Sequence, residues 1–143
     1  MRAASRRLTH AYDEIMAPSG LRFTQFNLLC ELERHASNPP SVSELADLLT
    51  MERSALGQTL RPLERAGMLE LGRDERDGRR RPILLTTKGR TAIANTQPYW
   101  EQAHYKFIEF FGIQATEGLR GTLRDIAEDP RLDEIFHEGQ QGR

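Results

Sequence analysis

The chain has 143 residues, 38% of them hydrophobic, with 20 basic residues against 21 acidic ones and a single cysteine. That length suits one domain, since domains commonly run roughly 100 to 200 residues, and it leaves no room for a multidomain enzyme. No apolar run approaches the ~18 residues that cross a bilayer, no apolar segment of a secretion signal follows the basic stretch Met1 to Arg7, and Cys30 alone makes neither an internal disulfide nor a cysteine-based zinc site, so a soluble cytoplasmic protein without a membrane partner is expected.

Residues 3 to 16 place Leu8, Ala11, Tyr12, Ile15 and Met16 at steps of three and four, the pattern of an amphipathic helix that stops before Pro18-Ser19-Gly20. Thr24 is positioned to cap a second helix carrying Phe26, Leu29 and Cys30, closed by Asn38-Pro39-Pro40. Ser41 with Glu44 three residues on forms a capping box, in which each side chain accepts a backbone N–H from the other's residue. The short helix behind it is expected to bury Leu45, Ala46, Leu48 and Leu49, and Thr50 to Glu52 read as a turn.

The next helix, from about Arg53 to Ala66, divides into two faces. At 100° per residue, Ala55, Thr59, Ala66, Leu63, Leu56 and Leu60 fall on one arc, and Arg53, Glu64, Gly57, Arg61, Ser54, Arg65 and Gln58 on the other. One face belongs to a core and the other is polar and mostly basic. Gly67 supplies a left-handed terminus, and Pro62 removes one helical hydrogen bond, so a kink or a bound water is expected there.

Two short strands follow, Met68 to Gly72 and Pro82 to Thr86, flanking a loop whose tip, Asp77-Gly78, is a hairpin-turn pair. Residues 73 to 90 hold seven basic side chains against three acidic ones, net +4. Residues 109 to 143 hold four basic against eight acidic, net −4, so the near-neutral total hides two opposed regions. Thr87 is positioned to cap a long helix from Lys88 to about Phe111, bent at Pro98 or straight, bearing Ile93, Tyr99, Trp100, Ala103, Phe107, Phe110 and Phe111. A last helix, Ala115 to Glu128, should turn Leu119, Leu123 and Ile126 inward and end at Pro130.

Helix, tight turn, helix and an arginine-tipped hairpin are the order of a winged helix-turn-helix. A B-DNA major groove about 12 Å wide admits one helix with a polar outer face, and an arginine-bearing loop can reach phosphates or the narrow, electronegative minor groove. Arg53, Ser54, Gln58 and Arg61 on the helix and Arg76, Arg79 and Arg80 on the loop are therefore the candidate contacts to double-stranded DNA. Gln58 can pair with adenine and Arg61 with guanine, and the sequence leaves open which of them reads a base. The blander alternatives are a solvated helix face and a charged tip that keeps a strand edge soluble.

Ser43-Glu44-Leu45-Ala46 through Arg61-Pro62-Leu63-Glu64-Arg65-Ala66-Gly67-Met68-Leu69, then Asp77-x-Arg79-x5-Leu85-Thr86-x2-Gly89, resembles the MarR family of bacterial transcription regulators. The likeness is strongest over roughly residues 20 to 112 and departs from the common pattern at Pro62. It implies a mainly α (α+β) chain, one MarR-type domain over 1–143, with a winged helix-turn-helix DNA-binding portion at 20–90. The helical portions at 1–19 and 91–143 would form a dimerisation region. It also implies a homodimer on a pseudo-palindromic operator, Arg79 in the minor groove held by Asp77, and a repressor whose DNA affinity a small aromatic or phenolic effector lowers. The ligand-binding residues are unknown from sequence. The alternative is a winged-helix module that contacts protein or RNA.

No catalytic constellation, phosphate loop or ligand-spaced histidine set occurs, so no enzyme, no cofactor and no metal is expected; His10, His35, His104 and His137 are scattered. Cys30 reads either as a redox sensor, as in some relatives, or as an ordinary buried residue among Leu28 and Leu29.

Overall fold

Among residues 1–73, 76 and 78–138, which the computed structural model describes, the chain forms seven α-helices and one two-stranded sheet. In order they are α1 (Arg2–Met16), α2 (Phe23–Arg34), α3 (Val42–Leu48), α4 (Arg53–Arg65), β1 (Leu69–Leu71), β2 (Ile83–Leu85), α5 (Thr87–Phe111), α6 (Ile113–Glu128) and α7 (Arg131–Glu138). A 3₁₀ turn at Ala17–Ser19 follows α1. The strands are antiparallel, with Leu69 opposite Leu85 and Leu71 opposite Ile83. This is the mainly helical winged-helix architecture expected from the sequence. No described helix is long and apolar enough to cross a membrane.

The chain divides into two compact units, Met1–Ala103 and His104–Arg143. The first has a continuous core in which Met16, Leu29, Leu32, Leu45, Leu56, Leu63, Leu69 and Ile83 are fully buried. α1 contributes Tyr12 and Met16 to it and packs against α2, where Tyr12 meets the Phe23 ring at 4.9 Å between centroids. In the second unit Phe111 packs against Phe107 and Phe110, Gly112 takes a φ of 82° before α6, and the Thr116 hydroxyl donates to the Gly112 carbonyl at 2.8 Å. An apolar groove between α6 and α7 is lined by Ile126, Leu132 and Ile135.

Several expectations are corrected. α2 starts at Phe23 after Arg22, so Thr24 is not its cap; instead the Asp13 carboxylate of α1 accepts the Phe23 backbone N–H at 2.7 Å. A carboxylate at a helix N-terminus also meets the positive end of the helix dipole. Leu48 lies on the outer side of α3 and is exposed, because a seven-residue helix turns only Leu45 and Ala46 fully into the core. Ala55, placed on the core arc of α4, is exposed near the helix start. The extents expected for the two proline-containing helices hold, α4 running through Pro62 and α5 through Pro98. Leu119, Leu123 and Ile126 are exposed in the protomer rather than inward, and the chain continues past Pro130 into α7.

Candidate nucleic-acid interface

α3 and α4 are joined by a turn in which Thr50 has a φ of 50°. A β-branched residue rarely adopts that conformation. It is held by two bonds that close α3, Thr50 N–H to the Asp47 carbonyl at 3.2 Å and Met51 N–H to the Ala46 carbonyl at 2.9 Å. At the other end of this helix the capping box forms as its residues dictate: the Glu44 N–H donates to Ser41 Oγ at 3.2 Å and the Ser41 N–H to Glu44 Oε2 at 3.1 Å.

Leu56, Leu60 and Leu63 bury one face of α4 against the core. On the opposite face Arg53, Ser54, Gln58, Arg61 and Arg65 are all exposed, so the sequence-derived division of this helix holds at every candidate contact on it. Gly67, at φ 75°, ends the helix with two bonds: its own N–H to the Glu64 carbonyl at 2.9 Å and the Met68 N–H to the Leu63 carbonyl at 2.9 Å. Only a residue without a Cβ takes that left-handed position without strain.

The spacing Leu85-Thr86-x2-Gly89 has a physical cause. Thr86, not Thr87, caps α5: its Oγ1 accepts the Gly89 N–H at 3.1 Å and donates to the Gly67 carbonyl at 2.6 Å, joining the start of α5 to the end of α4. A Cβ on Gly89 would lie 2.1 Å from the Met68 carbonyl oxygen, which excludes any other residue in this geometry. These residues fix α4 relative to the hairpin.

The root of the hairpin is sewn to the segment before α3. The Ile83 N–H donates to the Pro40 carbonyl at 2.8 Å, Ser41 bridges Pro82, and the Gly72 N–H donates to the Pro82 carbonyl at 2.8 Å. Beyond it Arg73, Arg76, Arg79 and Arg81 are exposed. Asp77, expected to hold Arg79, lies outside the described residues. Arg80 differs from its neighbours. It is half-buried, its Nε and Nη2 donate to Glu44 Oε1 and Oε2 at 2.8 Å each, and Nη2 also donates to the Pro39 carbonyl at 2.7 Å. Those bonds from Arg80, then the Ser41 backbone N–H, hold the Glu44 carboxyl at about 2, well below its ordinary 4.5. The capping box was legible in sequence; its second partner, 36 residues away, had no local signal.

Cys30 is half-buried, and burial, followed by the nearby Glu33 charge, raises its thiol pKa. Such a thiol is a poor nucleophile at neutral pH, which favours the reading of Cys30 as part of the core edge.

Comparison with known proteins bears on the whole arrangement. A sequence profile described as the MarR family matches residues 19–80, which include α2, α3, α4 and β1. The Mycobacterium tuberculosis transcriptional regulator MosR is 30% identical, with a TM-score of 0.72 over 94% of this chain and 92% of that one. A MosR structure in complex with DNA superposes with a TM-score of 0.76 at 28% identity, covering 92% of each chain. CouR from Rhodococcus jostii RHA1, bound to p-coumaroyl-CoA, shares the fold at 21% identity, with a TM-score of 0.74 over 90% of this chain and 89% of that one. No curated sequence matches at a significant level. With a relative at 30% identity along nearly its whole length, a family profile over the helix-turn-helix and the winged-helix fold, the chain belongs to the MarR family, whose members are transcriptional regulators and not enzymes.

Proposed function

We propose that this chain acts in the cytoplasm as a homodimeric, sequence-specific DNA-binding repressor. Residues 20–90 form the DNA-binding portion, and 1–19 with 91–143 the dimerisation portion. α4 enters the major groove with Arg53, Ser54, Gln58 and Arg61 facing the DNA, and the hairpin brings Arg76 and Arg79 to phosphates and the adjacent minor groove. The observation that carries this reading is the outer face of α4: Ser54, Gln58 and Arg61 are exposed opposite Leu56, Leu60 and Leu63, which pin the helix to the core, and Arg53 is exposed at the edge of that face. Phosphate contacts by arginine make such binding steeply salt-dependent, and a dimer places two α4 helices about one DNA turn, roughly 34 to 36 Å, apart on a pseudo-palindrome.

The surroundings of α5 are the place we assign to a small aromatic or phenolic effector. Tyr99 and Trp100 are half-buried there, Trp100 stands 6.4 Å from Phe26 between ring centroids, and the buried Thr96 hydroxyl lacks a hydrogen-bond partner among the described residues. A phenolic group could supply that partner. An effector that raises the melting temperature of the free protein while weakening its DNA binding would demonstrate the coupling.

The deciding experiment is a gel-shift titration against DNA from upstream of the protein's own gene. Arg79→Ala should weaken binding more than tenfold, or about 1.4 kcal/mol. Unchanged affinity would remove the hairpin from the interface, and no binding by the wild-type dimer to that DNA or to a randomised operator library would overturn the whole reading.

A further inference from the structure

We propose that Arg80 and Glu44 are a positioning pair: their forked ion pair fixes the root of the hairpin to the first turn of α3, and Arg80 is not itself a DNA contact. The proposal rests on the reading of α4 and the hairpin as the DNA-binding elements. Its geometry is specific. Two parallel N–H···O bonds to one carboxylate fix the guanidinium plane as well as its distance, and lysine cannot reproduce them. Glu44 is in turn set by the capping box with Ser41, so the anchor point belongs to a helix terminus and not to a mobile surface side chain.

The ties run outward in sequence. The carbonyls of Pro39 and Pro40, neither of which has an N–H to offer in return, are both taken by the returning strand: Pro40 by the Ile83 N–H and Pro39 by Arg80. The Ser41–Pro82 bridge lies between them. Of these three ties Arg80 makes the one nearest the tip, next to Arg79. An ion pair with this much solvent contact contributes little to global stability. Its effect is to set where the exposed arginines stand relative to α4, whose own position is fixed through α3 and the core.

Charge arithmetic separates this from a phosphate contact. Removing the Glu44 charge beside a polyanion should tighten DNA binding through electrostatics alone, whereas losing a positioning carboxylate should weaken it. Arg80→Lys keeps the positive charge for a phosphate but cannot form the fork. Arg80→Lys, Glu44→Gln and the double variant are compared with wild type by fluorescence anisotropy on promoter DNA, well below each melting temperature. Amide hydrogen exchange at Ile83 and Gly72 is followed in parallel by NMR.

The expected result is a loss of at least tenfold in affinity for each single variant, no further loss in the double variant, and about tenfold faster exchange at both amides, with melting temperatures nearly unchanged. Wild-type affinity in Arg80→Lys together with equal or tighter binding in Glu44→Gln would overturn the proposal in favour of a phosphate contact. Lower melting temperatures with unaltered affinity of the folded proteins would also overturn it. Should the wild type bind no DNA, the functional reading fails on its own account, and exchange decides the pair separately: unchanged rates at Ile83 and Gly72 in both variants refute the anchoring.

Discussion

The two compact units of this chain treat apolar side chains in opposite ways. In Met1–Ala103 the large aliphatic residues of α2, α4 and both strands close over one another with Leu45 of α3, and Leu29, Leu45 and Leu56 are 0% exposed. In His104–Arg143 Phe110 is 82% exposed, Ile113 65% and Leu123 53%, and Thr116 is the one buried side chain among those described. On α6, Leu119, Leu123 and Ile126 recur at steps of four and three, so they form one stripe. A contiguous uncovered apolar surface of this kind marks an association site. The first unit can thus be stabilised by its own core, while the second supports the proposed homodimer by needing a surface to cover it.

That contrast can be broken most forcefully in the first unit. Leu29→Ala should lower the unfolding free energy by about 2 to 5 kcal/mol, the range for deleting a buried leucine side chain. Urea titrations should show a loss of similar size across protein concentrations. Leu123→Glu should act differently, raising the dimer dissociation constant about a hundredfold, or about 2.7 kcal/mol, in sedimentation equilibrium. A wild-type protein that sediments as a monomer at micromolar concentration, or a Leu123→Glu dimer as tight as wild type, would remove the proposed division of labour.

How far each region was legible in sequence follows the range over which its forces act. Helical periodicity and the capping box are local, so α1, α4 and α5 and the Ser41–Glu44 start of α3 were placed to within about two residues. The two faces of α4 followed from the same periodicity, because Leu56, Leu60 and Leu63 share one arc. What the sequence could not show was contact between distant residues: Asp13 serving as the acceptor at the start of α2, and Arg80 reaching Glu44. Amphipathicity also failed to say what an apolar stripe faces. Leu119, Leu123 and Ile126 are patterned like core residues, yet none of the described elements covers them fully.

The neighbouring threonines at the start of α5 sharpen the point at smaller energy. The sequence pointed to Thr87 as the cap, but it is Thr86 that accepts the Gly89 N–H and donates to the Gly67 carbonyl. Thr86→Val should therefore cost about 1 to 2 kcal/mol, the value of a lost cap and an orphaned carbonyl, while Thr87→Ala should be near neutral. Equal costs for the two substitutions in urea unfolding would mean that Thr86 does not join α4 to α5 in solution.

The smallest expected effect concerns one gap in the otherwise closed first unit. Gly57 lies in the middle of α4 at about 40° on the helix wheel, between Arg53 at 0° and Arg61 at about 80°. A Cβ there would have no atom within 4 Å, so packing within the protomer does not require glycine. Glycine within a helix is destabilising by about 0.5 to 1 kcal/mol relative to alanine. If α4 approaches base edges along this line, a methyl group would occupy space that the DNA needs, whereas in the free protein it meets only solvent. Gly57→Ala should accordingly raise the unfolding free energy by about 0.5 to 1 kcal/mol and yet weaken operator binding. Opposite signs in urea unfolding and anisotropy would assign the gap to DNA approach; a variant both more stable and equally tight would show that the line Arg53, Gly57, Arg61 does not face the groove closely.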